Sequence, residues 1–422
     1  MKHVIIGNGP AGVVAAETLR KLDPDAAIDL VGDEPSPPYS RMAIPYLLAG
    51  GIDEAGTRLR KDPAHFDRLG IRLVHSRVEA LDAAAKRLRF AGGTQGGYDR
   101  LLIATGSHPV RPPIPGIDAP GVHTCWTLDD ARSIAARAVR GARVVQIGAG
   151  FIGCIVLEAL AARGVDLTVV EMGDRMVPRM MTGKAGGMIR KWCESKGVKV
   201  HTGAAVESIA SSGAALAVKL STGATAPADL VILAAGVQPN IGFLAGSGIA
   251  TARGVLVDER MRTDVAGVHA AGDVAEAADF ATGERTLNAI QPNAVEQGRI
   301  AALNMAGREA RSAGALAINV LDTLGLVSAS FGQWQGAPGG ESVELADEGA
   351  WHYLSLQFQD DVLIGATSIG HTEHIGVLHG LVRAHTRLGA WKERLLRNPA
   401  LAMDAWLASS QPEALWRGAR AR

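Results

Sequence analysis

Two short stretches of this 422-residue chain carry the residues best suited to chemistry. Near the start, "IIGNGPAG" places Gly7, Gly9 and Gly12 in a GxGxxG spacing between an apolar run and a helical pattern. Further on, "QIGAGFIG" repeats the spacing with Gly148, Gly150 and Gly153. In such a loop the first glycine permits a tight turn, the second lets the backbone approach a pyrophosphate, and the third lets helix and strand pack closely. The helix that follows begins with Pro10 and Ala11 in the first copy and Phe151 and Ile152 in the second, and its unpaired N–H groups suit an anion. Both copies therefore predict dinucleotide binding. Carboxylates able to accept hydrogen bonds from a ribose close the next strand in each: "AIDLVGDE" ends in Asp33 and Glu34, and "VDLTVVE" ends in Glu171. Glu171 favours a free 2'-hydroxyl, hence NADH over NADPH, while Arg175 and Arg179 just beyond it are the side chains a 2'-phosphate would meet. Two such units in one chain read as sites for two different dinucleotides, one held permanently and one exchanged, with FAD and NADH as the natural pair.

Such loops need parallel sheets and covering helices, and the chain has the material for them. At 43.9 kDa it predicts two or three domains rather than one core. Apolar residues make up 47% and charged residues 20%, which fits a globular protein and not a disordered or membrane-spanning one. Lys plus Arg balance Asp plus Glu at 43 each, so there is no basic field for nucleic acid. The start "MKHVIIGNG" runs directly into a strand with no leader pattern, and no apolar run is long enough to span a bilayer, so a cytoplasmic protein is expected. Cys125, Cys154 and Cys193 form no CxxC or CxxxxC pair, so they are expected to be buried thiols without metal or disulfide.

Three further segments belong to neither loop. "YDRLLIATGSHP" and "ADLVILAAGVQPN" each form an apolar strand ending in a small-residue turn, and "TDVAGVHAAGDVAE" ends a strand at Gly272 and Asp273. In this order, together with the first loop, they resemble the glutathione reductase-like FAD-dependent pyridine nucleotide oxidoreductases. Within that group the likeness is to ferredoxin and rubredoxin reductases, the flavin domain of nitrite reductase and the flavin subunit of phenylglyoxylate dehydrogenase. It extends over nearly the whole chain. The resemblance implies an α/β protein with two Rossmann-like domains and a small α+β C-terminal domain. It divides the chain into a discontinuous FAD domain (1–112 and 240–315), a NAD domain (113–239) and a C-terminal interface domain with a helical tail (316–422). It also implies that Gly7, Gly9, Pro10, Ala11 and Gly12 hold the FAD pyrophosphate and that Asp33 and Glu34 meet its adenosine ribose. Arg41 would lie beside FAD, as would the turn Ala104, Thr105 and Gly106, and Gly272 with Asp273 would meet the ribitol region. Backbone N–H groups near Ala294 and Val295 would face the flavin pyrimidine. NAD would rest on Gly148, Gly150, Phe151, Ile152, Gly153, Glu171 and Gly236, with Phe151 as the aromatic gate that nicotinamide displaces.

The departures from the family pattern sharpen the expected function. Disulfide-reducing members carry CxxxxC after the first ribose strand, and residues 34–50 contain no cysteine. Members with a single cysteine before "LPYY" would place it at Met42, a thioether that cannot form those intermediates. Electrons would then leave the flavin directly, to a ferredoxin, rubredoxin or iron-sulfur subunit. The alternatives are an NADH:quinone or oxygen oxidoreductase and a flavin-binding assembly subunit with a vestigial NAD site. Many ferredoxin reductase relatives pair a glutamate with a lysine near the flavin; here Ile155 and Tyr46 stand at those places, and Glu158 is a weak substitute. Losing both charges together is coherent, because one alone in a dry site is costly. The C-terminal part, with Trp334, Trp351, Trp391, Trp406 and Trp416, resembles a dimer or partner surface. His371, His374, His379 and His385 lack the companions of a metal site and read as a solvated or partner-facing helix.

Overall fold

A computed structural model describes residues 1–213 and 215–410. The chain forms two compact units. The first takes Met1–Val110, Cys125–Arg132 and Gly236–Ala315. Its centre is a five-stranded sheet in the order Val268–Ala270, Arg100–Ile103, Lys2–Ile6, Ala27–Gly32, Ile71–His75, all parallel. The central strands are nearly continuous apolar runs because a parallel sheet is covered on both faces, and Ile5, Leu101, Leu102 and Ile103 have no exposed surface. The helix Pro10–Leu22 starts with proline at its first position and carries Arg20 and Lys21 in its last turn, both matched to the helix ends. It packs on the helix Gln291–Met305 through small residues: a Cβ on Gly298 would lie 2.4 Å from the Ala11 carbonyl oxygen.

The second unit takes Arg111–Thr124, Ser133–Ala235 and the described residues from Leu316 on. Its parallel sheet, Lys199–Thr202, Asp166–Glu171, Arg143–Ile147, Leu230–Leu233, Val122–Thr124, repeats the arrangement of the first, with the strand before the glycine loop at the centre. A three-stranded meander (Val206–Ser212, Ala215–Leu220, Thr225–Ala228) covers one face and buries Val218 and Leu220 with Val145, Val170 and Val231. The C-terminal part is an antiparallel sheet, Ile318–Thr323, Leu326–Gly332, Val362–Ile369, His352–Gln359, Glu341–Asp347, covered by the helix Ile375–Arg383 over Phe331, Leu356 and Phe358. The α/β expectation of two dinucleotide-type sheets and a small α+β part is met. Trp192 joins the helix Gly183–Ser195 to this C-terminal sheet: its Nε1–H donates to the Thr323 and Leu324 carbonyls (3.0 and 3.2 Å), and its ring meets Trp351 edge-on at 5.1 Å. Trp351 is thus used internally, Trp406 on the helix Ala402–Ser410 is 38% exposed, and Trp416 lies outside the described residues.

Candidate functional site

Both glycine loops leave the C-terminal end of the central strand of their sheet, the position where open α/β sheets bind ligands. Gly7 and Gly148 adopt φ of +113° and +102°, and a Cβ would lie 2.0 Å from the Ala104 carbonyl oxygen in the first case and 2.3 Å from that of Ala234 in the second. Only glycine serves there. The third glycines let the helix close on the loop: a Cβ on Gly12 would lie 1.9 Å from the Gly7 oxygen, and one on Gly153 2.5 Å from the Gly148 oxygen. The middle glycines differ in kind. Gly9 and Gly150 have extended angles open to any residue (φ −75° in both), and nothing lies within 4 Å of where a Cβ would stand. No described residue demands glycine at these two places. The cleared space sits against unpaired helix N–H groups, and it fits a pyrophosphate brought up to the backbone.

The carboxylates expected to meet a ribose are less alike than the sequence reads them. Gly7 N–H donates to the Val31 carbonyl (2.7 Å) and Gly148 N–H to that of Val170 (2.8 Å), which sets Gly32, and neither Asp33 nor Glu34, in the place of Glu171. The Asn8 side chain fills the space over Gly32, with Nδ2 2.3 Å from a notional Cβ. Glu34 accepts from Arg41 Nη2 (2.6 Å) and from the Tyr39 hydroxyl (2.5 Å). Asp33 is half exposed beside Arg77 and is the more open of the pair. Glu171 is held by its own loop: Oε2 accepts from Ala149 N–H and Oε1 from Gly173 N–H, both at 2.7 Å. A carboxylate has about four acceptor sites, so two remain open. Arg175 is tied to Asp174 and to the Met181 carbonyl (2.8 and 2.9 Å), while Arg179 is exposed.

Around the first loop the structure gathers segments distant in sequence. Thr105 Oγ1 donates to the Asn240 carbonyl (3.0 Å) and Asn240 Nδ2 to the Thr105 carbonyl (2.8 Å), joining the Ala104-Thr105-Gly106 turn to the return of the chain. Gly106 has φ +65°, and Gly236, also at positive φ, accepts from Val110 N–H through its carbonyl. Gly272 N–H donates to the buried Gln297 Oε1 (2.9 Å), and Ser107 Oγ donates to Asp273 (2.8 Å). Burial pushes the Asp273 carboxyl up, while the Ser107 hydroxyl and the Arg41 charge pull it back. Arg41 is fully engaged: besides Glu34 it donates to the Trp126 carbonyl (2.7 Å) and lies over the Tyr39 and Trp126 rings. Trp126 in turn donates from Nε1 to the Ser107 carbonyl (3.0 Å), which draws residues 125–132 into the first unit.

At the helix Gln291–Met305 the donors lie earlier than Ala294 and Val295. Ala294 N–H already bonds to the Ile290 carbonyl (3.0 Å), so the free groups are those of Gln291 and Asn293, with Pro292 offering none. Sequence reasoning also missed Asn8, Trp126, Asn240, Gln297 and Gln146. The signal for Gln146 was present, since it is an amide inside the apolar run "RVVQI".

Three free thiols are present, and burial pushes Cys125 and Cys193 up to about 12 and Cys154 well above the usual thiol range. Met42 and Tyr46 are exposed, Phe151 and Ile155 partly so. Burial, then the Asp322 charge, raises the Glu158 carboxyl. Among the C-terminal histidines, His371 lies tilted against His352 with ring centres 4.4 Å apart, and His379 meets Phe331 edge-on at 5.7 Å. No group of three or more His, Cys, Asp or Glu among the described residues is placed to hold a metal ion. No helix among them is long and apolar enough to cross a membrane.

Residues 1–309 match the model of the family described as pyridine nucleotide-disulphide oxidoreductase. The chain belongs to this family. It is an FAD-dependent NAD(P)H oxidoreductase, although residues 34–50 lack the cysteine pair that the family's name implies. It is 33% identical over 401 residues (94% of this chain, 95% of the relative) to the NADH-dependent phenylglyoxylate dehydrogenase subunit epsilon of Aromatoleum evansii. A probable ferredoxin reductase of Castellaniella defragrans is 36% identical over 310 residues (72% and 75%). Among solved structures, a NAD-dependent persulfide reductase from A. fulgidus superimposes with a TM-score of 0.87 at 29% identity, covering 92% of this chain and 78% of that one.

Proposed function

We propose that the protein passes a hydride between NADH and FAD and electrons between FAD and a ferredoxin, rubredoxin or iron-sulfur partner subunit, in the cytoplasm. The observation that carries this reading is the pair of cleared middle glycines, Gly9 and Gly150, in a chain with no cysteine between residues 34 and 50. FAD, when bound, links a two-electron carrier to a one-electron carrier. The first loop, with Asp33 beside it and Asp273 held by Ser107, would hold FAD, and the second loop with Glu171 would hold the nicotinamide dinucleotide. The preference for NADH rests on Glu171 and on Arg175, whose guanidinium is already bonded to its own loop. Phe151, at the start of its helix, would act as the nicotinamide gate. The exposed Trp406 and Leu407 belong to the C-terminal face we assign to a partner or second copy.

Reduction of a [2Fe-2S] ferredoxin by NADH, compared anaerobically with a quinone and aerobically with oxygen, tests the acceptor. Ferredoxin reduction well above the rate of oxygen consumption is expected. Oxygen or quinone turnover with an inert ferredoxin, rubredoxin and iron-sulfur subunit would move the protein to the oxidase or quinone reductase reading. FAD bound without response to NADH would make it an assembly subunit.

A further inference from the structure

We propose that Gln146 is a positioning residue that acts through the Gly148–Ala149 peptide on Glu171, and thereby sets both the affinity for NADH and its discrimination from NADPH. This rests on the reading of the second loop as the NADH site.

Gln146 lies on the central strand Arg143–Ile147, two residues before Gly148 and with no exposed surface. Its Nε2–H group donates to the carbonyls of Gly148 and Gly153, each at 2.9 Å. The amide orientation is forced, because the oxygen in the same place would face two acceptors. A trans peptide is planar with its C=O and N–H opposed. Holding the Gly148 carbonyl beneath the loop therefore turns the Ala149 N–H outward, where it donates to Glu171 Oε2 at 2.7 Å. One peptide unit is clamped from both sides, and the second clamp is the carboxylate proposed to read the ribose.

The first loop supplies the internal control. Aligning Gly7 with Gly148 sets Ile5 against Gln146 and Gly32 against Glu171. The first copy has neither amide nor carboxylate; the second has both. An apolar side chain is therefore compatible with this fold at this position. Gln146 also leaves its Oε1 buried without a hydrogen-bond partner among the described residues, a local cost that an aliphatic side chain would avoid. Packing alone does not account for the amide.

The test is equilibrium titration of FAD-loaded Gln146→Met with NADH and with NADPH, alone and on a Glu171→Ala background, with FAD content as the folding control. The NADH Kd is expected to rise about tenfold and the NADPH Kd by less than about threefold. On the Glu171→Ala background the effect on NADH should shrink to less than about threefold, as coupled residues require. Equal losses for both nucleotides, a full effect without Glu171, or no loss at all would overturn the proposal. Should Gln146→Met fail to fold, hydrogen exchange at the Ala149 amide of the unaltered protein decides. Protection before any nucleotide is added is expected, and free exchange there would overturn it. If the unaltered protein binds neither nucleotide, it is the assignment of the second loop that fails.

Discussion

The two glycine loops share a backbone and differ in what ties them down. The first is fastened by contact: Ile5 lies beneath it, Asn8 fills the space over Gly32, and a Cβ on Gly12 would lie 1.9 Å from the Gly7 oxygen. The second is looser at that crossing, 2.5 Å, and is held by polar clamps from Gln146 and Glu171. Close packing gives one fixed shape, which suits a group that stays. Hydrogen-bonded clamps present an oriented carboxylate, which suits the exchanging nucleotide proposed for this loop. The same spacing of three glycines is thus held in two ways, and the residues that separate them lie just outside the motif.

Breaking each loop in turn tests whether they work independently, and the largest effects belong here. Gly7→Ala forces a side chain onto φ +113° and into the Ala104 carbonyl, so no FAD-loaded protein is expected. Gly148→Ala faces the same strain at φ +102°, but it should leave the FAD spectrum intact while abolishing the response to NADH. Loss of FAD in both variants would show that the loops are not separable.

Acid should weaken the first unit next. His269, buried in the first unit between Arg100, Arg262, His3 and Asp258, is pushed down to about 4, chiefly by burial, and His3 is lowered for the same reason. Its folded value lies below its unfolded one of about 6.5, so the stability it confers is complete above that pH and lost as the pH falls toward about 4, a swing of about 3 kcal/mol. FAD release on acidification should follow this window, and His269→Leu should flatten it. An unchanged pH profile in that variant would remove His269 from the explanation.

Glu171→Ala should weaken NADH about tenfold to a hundredfold and narrow the gap to NADPH, since it removes a charged acceptor from Ala149 N–H and from the ribose it is proposed to meet. Equal affinity of the two nucleotides in the unaltered protein would contradict its role. Gly150→Ala should have the smallest effect on the fold, because the angles are ordinary and the space is clear. Its melting temperature should stay within about 2 °C, while NADH binding weakens about tenfold. Unaltered NADH binding would mean that no pyrophosphate occupies that space.

Much of the architecture was legible because glycine spacing and apolar runs are local signals. Each loop, its strand and its helix appear where the spacing puts them. The partners of the loops were less legible, because they depend on registers that no single stretch carries. Glu34 reads as a ribose ligand by closeness to the strand end; that its carboxylate also accepts from Arg41 and Tyr39 is visible only in the folded chain. Ala294 reads as a free donor, yet the helix begins three residues earlier and uses its N–H. Trp126 shows no motif at all; its importance comes from the Arg41 and Ser107 contacts made in the folded chain. Gln146 lay between these cases, visible once the two copies are aligned.

Anaerobic stopped-flow mixing of the yellow protein with NADH, and separately with NADPH, tests the two-cofactor assignment most directly, through bleaching of the flavin band at about 450 nm. Fast bleaching by NADH and slow bleaching by NADPH are expected. No bleaching by either nucleotide, with FAD bound, would contradict hydride transfer through the second loop.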